Sequence, residues 1–127
     1  MKNIIKTDKA PAAVGPYVQG VAYQGFVYTS GQLPLNPETG EMPATIAEQT
    51  RQSLQNVKAV LEEAGTTMSQ IIKTTVFLSD MNNFGAMNEV YAAFFTDGAC
   101  PARSAVEVAR LPKDALVEIE ALAALPV

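Results

Sequence analysis

Apolar positions along the chain follow two rhythms. Residues 17–30, YVQGVAYQGFVYTS, are rich in aromatic and β-branched side chains and break at Gln24-Gly25. That pattern predicts two strands joined by a tight turn. Residues 31–43 hold three prolines, two glycines and an Asn-Pro step, which is loop chemistry. From Thr45 the rhythm changes. Leu54, Val57, Leu61 and Ala64 recur at helical spacing, with Ser53 and Val60 beside them. Thr45 and Glu48 have the form of a capping box, and Gly65 is the expected C-terminal stop.

Residues 70–79, QIIKTTVFLS, predict a buried strand. Residues 80–95 predict a second helix, with Asp80, Asn82 and Asn83 as candidate caps. Phe84, Met87, Tyr91, Phe94 and Phe95 form its apolar stripe. Two closing strands follow, near 103–109 and 116–124, joined through RLPKDA. The order β(β)β–α–β–α–ββ is an α+β layout, a mixed sheet with two helices on one face. No repeat, linker or low-complexity segment interrupts it, so residues 1–127 read as one domain.

The last strand carries a further message. Val117, Ile119, Ala121 and Ala123 take one side, while Leu116, Glu118, Glu120 and Leu122 take the other. Two helices cover only one sheet face. Apolar residues on the second face point to an oligomer in which sheets pack on each other.

Composition narrows the chemistry. At 48% hydrophobic and 17% charged, the chain is composed like a soluble globular protein. Its apolar runs are too short to span a bilayer, and MKNIIKTDKAPAAVG has no stretch suited to a signal peptide, so the cytoplasm is expected. One cysteine, Cys100, fits a reducing compartment. With no histidine, zinc sites of His and Cys and a Ser/His/Asp arrangement are excluded. Acid–base work falls to carboxylates, Lys, Tyr, backbone or water. The net charge of −4 argues against a nucleic-acid backbone as partner.

Within PARSAVEVARLP (101–112), Arg103 opens a strand with no acid beside it until Glu107. Such an arginine is commonly a surface residue or an ion-pair partner. It is also the group that grips a small carboxylate with two parallel hydrogen bonds. Glu118, between Val117 and Ile119, is either a solvated strand residue or a partly buried acid able to hold or deprotonate a water. Ser30-Gly31 ends a strand and is either a turn or a place where backbone approaches a ligand. Tyr17 is either a stacking surface or a core or interface residue. Asn88 is either a pocket residue or a helix-to-loop hydrogen bond.

The segments GPYVQGV, TSGQLPLNPETGE, QTRQSLQNVKAVLEEAG, KTTVFLSDMNNFGAMNEVY and PARSAVEVARLPKDALVEIEALA resemble the RidA (YjgF) family of reactive-intermediate imine deaminases, over nearly the whole chain. The resemblance implies a chorismate-mutase-like fold, a homotrimer with sheets facing inward, and sites between subunits. It implies hydrolysis of enamine or imine acids such as 2-aminoacrylate and 2-aminocrotonate to 2-keto acids and ammonia, with no cofactor or metal. By position, Arg103 resembles the carboxylate-binding arginine and Glu118 the acid that positions water. Tyr17, Ser30, Gly31 and Asn88 resemble pocket-lining residues, and the backbone at Ala105 part of the wall. Many relatives have cysteine where this chain has Ala105, so no thiol role carries over. Two other readings compete: a ribonuclease or translation inhibitor, and a trimer that senses 2-keto acids or acts as a chaperone without turnover.

Overall fold

The computed structural model describes residues 1–126. Six strands form one sheet: β1 (Asn3–Ile5), β2 (Gly20–Tyr23), β3 (Phe26–Thr29), β4 (Ile71–Leu78), β5 (Ala102–Glu107) and β6 (Val117–Ala124). Their spatial order is β1-β2-β3-β6-β4-β5, with β4 and β5 parallel and every other pairing antiparallel. Helices α1 (Ile46–Ala64) and α2 (Phe84–Ala93) share one face. The expected order thus stands, with differences at the edges. β1 is a short strand that the pattern did not mark. β5 stops at Glu107 rather than 109, because the chain leaves the sheet there toward Leu111 and Pro112. A turn of 3-10 helix at Met81–Asn83 precedes α2, and Asp80 caps that turn by accepting from the Asn82 N–H at 2.9 Å.

Local chemistry fixes these elements. Gln24 and Gly25 both have positive φ, 47° and 86°, the mirror-image turn whose twist matches a two-residue hairpin. The Thr45 hydroxyl accepts the Glu48 N–H at 3.2 Å and starts α1. The second half of the expected capping box is not made, since the Glu48 carboxylate turns to Arg51. At the other end Gly65, at φ 95°, donates to Glu62 O while Thr66 donates to Leu61 O. This paired closure satisfies the last carbonyls of the helix.

The core lies between the helices and one sheet face. Leu54, Val57, Val60 and Leu61 of α1 and Met87 and Tyr91 of α2 meet Val27, Val76, Leu78, Val117 and Ile119. Gly20 lets α1 approach: a Cβ there would stand 2.8 Å from Val60 Cγ1 and 3.3 Å from the Tyr28 carbonyl oxygen. Helix α1 also carries buried polar side chains that hold loops in place. Ser53 donates to Gln32 O at 2.7 Å, and Asn56 donates to Leu33 O and Leu35 O at 3.0 Å each. Gln49 donates to Pro43 O and accepts from the Leu116 N–H, joining the long loop to the start of β6.

The opposite face of the sheet bears Tyr23, Phe26, Tyr28, Phe77, Val106 and Leu122, interspersed with Glu118 and Glu120. Tyr28 is 47% and Val106 41% exposed, so this face is apolar and uncovered in a single chain.

The tight seat of Gly20 yields a prediction. Gly20→Ala leaves the backbone conformation accessible but overpacks the sheet against α1, and is expected to cost about 1–3 kcal/mol. Thermal unfolding at fixed protein concentration reads this as a lowered Tm; an unchanged Tm would show that the helix yields freely.

Candidate active site

Arg103 and Glu118 sit on the two faces of the sheet. Arg103 pairs in register with Thr74, whose side chain is buried beneath the helices. It therefore points to the helix side, under α2. Its partner is not an acid. Nη1 donates to Asn88 Oδ1 at 2.7 Å, and the guanidinium carbon lies 4.7 Å from the Tyr91 ring centre and 5.4 Å from that of Phe84. Two aromatic faces and one amide thus hold the fork. Tyr91 is itself fixed, by a 2.7 Å bond between its hydroxyl and Thr74 Oγ1 and by Phe95, whose ring centre is 4.8 Å away. Burial pushes the Tyr91 hydroxyl up, against the opposing pulls of Thr74 and the Arg103 charge. It stays neutral, and Nε and Nη2 of Arg103 make no bond to Asn88.

Glu118 pairs with Phe77 on the uncovered face. It lines a cleft of about 660 Å³ with Tyr17, Ser30, Gly31, Leu33 and Glu120. The carboxyl is half-buried, and that desolvation pushes its pKa above the ordinary value, with the like charge of Glu120 adding to the rise. Gly31 packs directly on it: a Cβ there would stand 2.9 Å from Glu118 Cδ and 3.1 Å from Oε2. Glycine at 31 therefore leaves room for the acid; the position does not demand an unusual φ. The Ser30 hydroxyl donates to Val18 O at 2.6 Å, so toward a ligand it can only accept.

One chain thus builds two separate clusters. Tyr17, Ser30 and Gly31 gather around Glu118. Asn88 gathers at Arg103, and Ala105 shares Arg103's face, packed against the core. The resemblance grouped all of them in sites between subunits; within one chain the strand alternation sets them on two faces. Phe84, Tyr91 and Thr74, which seat Arg103, were missed as site residues because each also fits a core stripe. Among the described residues no group of three or more His, Cys, Asp or Glu is placed to hold a metal ion. Among them also, no helix is long and apolar enough to cross a membrane.

The model of the endoribonuclease L-PSP family matches residues 7–125. The chain belongs to that family, known also as YjgF/RidA. It is 58% identical over 125 residues to the 2-iminobutanoate/2-iminopropanoate deaminase of Escherichia coli K12, covering 97% of this chain and 98% of the relative. Among solved structures it superposes on the E. coli YjgF gene product with a TM-score of 0.93 at 58% identity, covering 96% of this chain and 98% of the other. It superposes on E. coli TdcF with bound serine at a TM-score of 0.94 and 53% identity, covering 98% and 99% of the two chains. The mixed sheet with two helices is the fold shared with these RidA-family structures.

The half-buried acid of this RidA-family cleft gives a prediction about pH. In the unfolded chain Glu118 titrates near its ordinary value of 4.5, and in the native chain higher. The native state binds that proton more tightly, so its stability falls as pH rises from the unfolded toward the native pKa. Glu118→Gln removes this loss. The variant is expected to melt above wild type at pH 7, with the gain vanishing as pH drops below 4.5. Equal Tm values at both pH values would contradict the desolvation.

Proposed function

We propose that this chain hydrolyses reactive 2-imine acids, with their enamine tautomers, to 2-keto acids and ammonia. We further infer that it works as a chorismate-mutase-like homotrimer in the cytoplasm, with each site shared by neighbouring subunits. The single observation that carries the reading is the seating of Arg103. A guanidinium stacked on Tyr91 and bonded to Asn88, with no acid among the described residues to neutralise it, is a preorganised receptor for a small carboxylate. The relatedness to the E. coli imine deaminase supplies the reaction class. The serine bound to TdcF is a small amino acid whose carboxylate and nitrogen sit on one carbon, as they do in a 2-imine acid.

The two faces support a shared site. The substrate needs an anchor and an acid at opposite ends of the same few ångströms, whereas Arg103 and Glu118 of one chain lie on opposite faces of the sheet. A neighbour that lays its uncovered face against the β5 edge would bring its Glu118 cleft to this chain's Arg103. The apolar residues Tyr28, Phe77 and Val106 suit such a contact.

The chemistry then requires little. Arg103 holds the carboxylate and so fixes the imine carbon, an orientation effect that can lower the barrier by several kcal/mol. A water beside Glu118 adds its oxygen to that carbon, and the C=N π pair moves to nitrogen, which takes a proton. Glu118 accepts the proton of the attacking water and returns one to nitrogen, a form of help worth about 100-fold or more. Its raised pKa suits both directions of transfer. The carbinolamine collapses as its O–H pair forms the C=O bond, the C–N bond breaks and the hydroxyl proton passes through Glu118 to the departing nitrogen, leaving the keto acid and ammonia. No step draws on a metal, a cofactor or a thiol.

The family name also carries an RNA-cleaving reading. A cleft lined by Glu118 and Glu120, in a chain of net charge −4, is poorly suited to a phosphate backbone.

The test is a coupled assay in which a serine or threonine dehydratase releases the enamine and keto-acid formation is followed. Wild type is expected to accelerate release. Arg103→Ala is expected to lose at least about 100-fold in kcat/KM, since two charge-assisted hydrogen bonds go. Arg103→Lys keeps the charge but not the fork or the stack, and is expected to fall between the two. Full activity in Arg103→Ala would overturn the anchor, and binding of keto acid without turnover by wild type would favour a sensor.

A further inference from the structure

The cleft has a wall that belongs to no helix or strand. Residues 11–18 cross it as a strap, and Pro11, Ala12, Val14 and Tyr17 all line it. The strap is thinly supported. A second cavity, of about 430 Å³, lies against Ala12, Ala13, Tyr17 and Val18, so two hollows share it. Val14 is 84% and Tyr17 52% exposed, so neither side chain is anchored in the core.

Hydrogen bonds hold the strap where packing does not. The Gln19 side chain, 4% exposed, accepts the Thr7 N–H at 2.7 Å through Oε1. Its Nε2 donates toward the carbonyls of Thr7 at 3.0 Å, Ala10 at 3.2 Å and Pro11 at 2.8 Å, two hydrogens shared among three acceptors. One amide thus ties residues 7–11 to the start of β2. Ser30 ties the other end, its N–H donating to Gln19 O and its hydroxyl to Val18 O. Between the ties, Gly15 adopts φ 116°, and the Tyr17 N–H donates back to Gly15 O at 2.9 Å across Pro16. That three-residue turn sets the direction of the Tyr17 ring.

We propose that Gln19 is a positioning residue for imine hydrolysis, its buried amide fixing the strap so that Tyr17 closes the cleft over the substrate. The proposal rests on the deaminase reading above for the identity of the substrate. Gln19 lies along the cleft wall, but both ends of its amide are turned away from a ligand: all its side-chain bonds go to backbone of residues 7–11. Its effect must therefore pass through the strap, and that is measurable.

The experiment is a double-mutant cycle of Gln19→Leu and Tyr17→Ala, read by steady-state kinetics and by amide hydrogen exchange. Gln19→Leu is expected to lower kcat/KM by about tenfold or more, chiefly through KM, because a misplaced wall loosens substrate positioning. It is expected to speed exchange in residues 7–18 and to leave β4 and β6 unchanged. Two residues acting through one wall are not additive, so the double variant should be no slower than Tyr17→Ala. Wild-type kinetics in Gln19→Leu, or losses that multiply, would overturn the proposal. A harmless Tyr17→Ala with an active wild type would overturn it too and leave the deaminase reading standing. If wild type itself does not accelerate hydrolysis, that reading fails, and unchanged exchange in residues 7–18 would refute the anchoring independently. Should Gln19→Leu not fold, Gln19→Glu keeps the Thr7 bond and the shape but loses both donors, and the same outcomes apply.

Discussion

Alternate side chains of a strand point to opposite faces of its sheet, and this constraint governs the molecule. In β6 it places Val117, Ile119, Ala121 and Ala123 under the helices and Glu118, Glu120 and Leu122 on the uncovered face. In β5 it places Arg103 and Ala105 on the helix side and Ser104 and Val106 on the other. A one-residue slip of either strand would move its charged residue to the wrong face and its apolar set into water. The core that locks the register thereby also locks the separation of the cation from the acid. The proposed site takes its second half from a neighbouring copy, and the apolar uncovered face offers a surface for it.

Each of the two clusters is set by its surroundings before any ligand arrives. On one side the Thr74–Tyr91 bond fixes a ring, the ring carries the guanidinium, and Asn88 sets its rotation. On the other, the absence of a Cβ at Gly31 admits the Glu118 carboxyl to a half-buried place, and that desolvation raises its pKa. Preorganisation of this kind reduces the ordering left for binding. The strap held by Gln19 adds a wall whose position depends on a few hydrogen bonds more than on contact area.

Much of this frame was legible in the sequence. The Thr45 and Gly65 stops, the Gln24-Gly25 turn and the stripe of Met87, Tyr91 and Phe95 are local patterns, and local patterns are what the chain states directly. β1 escaped because three residues are too few to show a period. Glu48 was expected to reach back to the cap, but Arg51 one turn on competes for it. Arg103, Asn88, Glu118, Tyr17, Ser30, Gly31 and Ala105 were named as one pocket by pattern and resemblance, yet no sequence period says which β5 residue faces α2; that depends on the long-range pairing with β4. The roles of Thr74, Phe84 and Gln19 were hidden for a related reason: a threonine in a strand, a phenylalanine in a stripe and a glutamine before a glycine look the same whether or not they hold a site.

Mixing two inactive variants tests the shared site most directly. Arg103→Ala and Glu118→Gln chains would be unfolded together and co-refolded at equal amounts. If each site takes Arg103 from one chain and Glu118 from its neighbour around a closed ring, about a quarter of the sites recover both residues, and deaminase activity should return to about that fraction of wild type. A mixture that assembles yet stays as inactive as its parents would show that one chain supplies both residues, and would contradict the account.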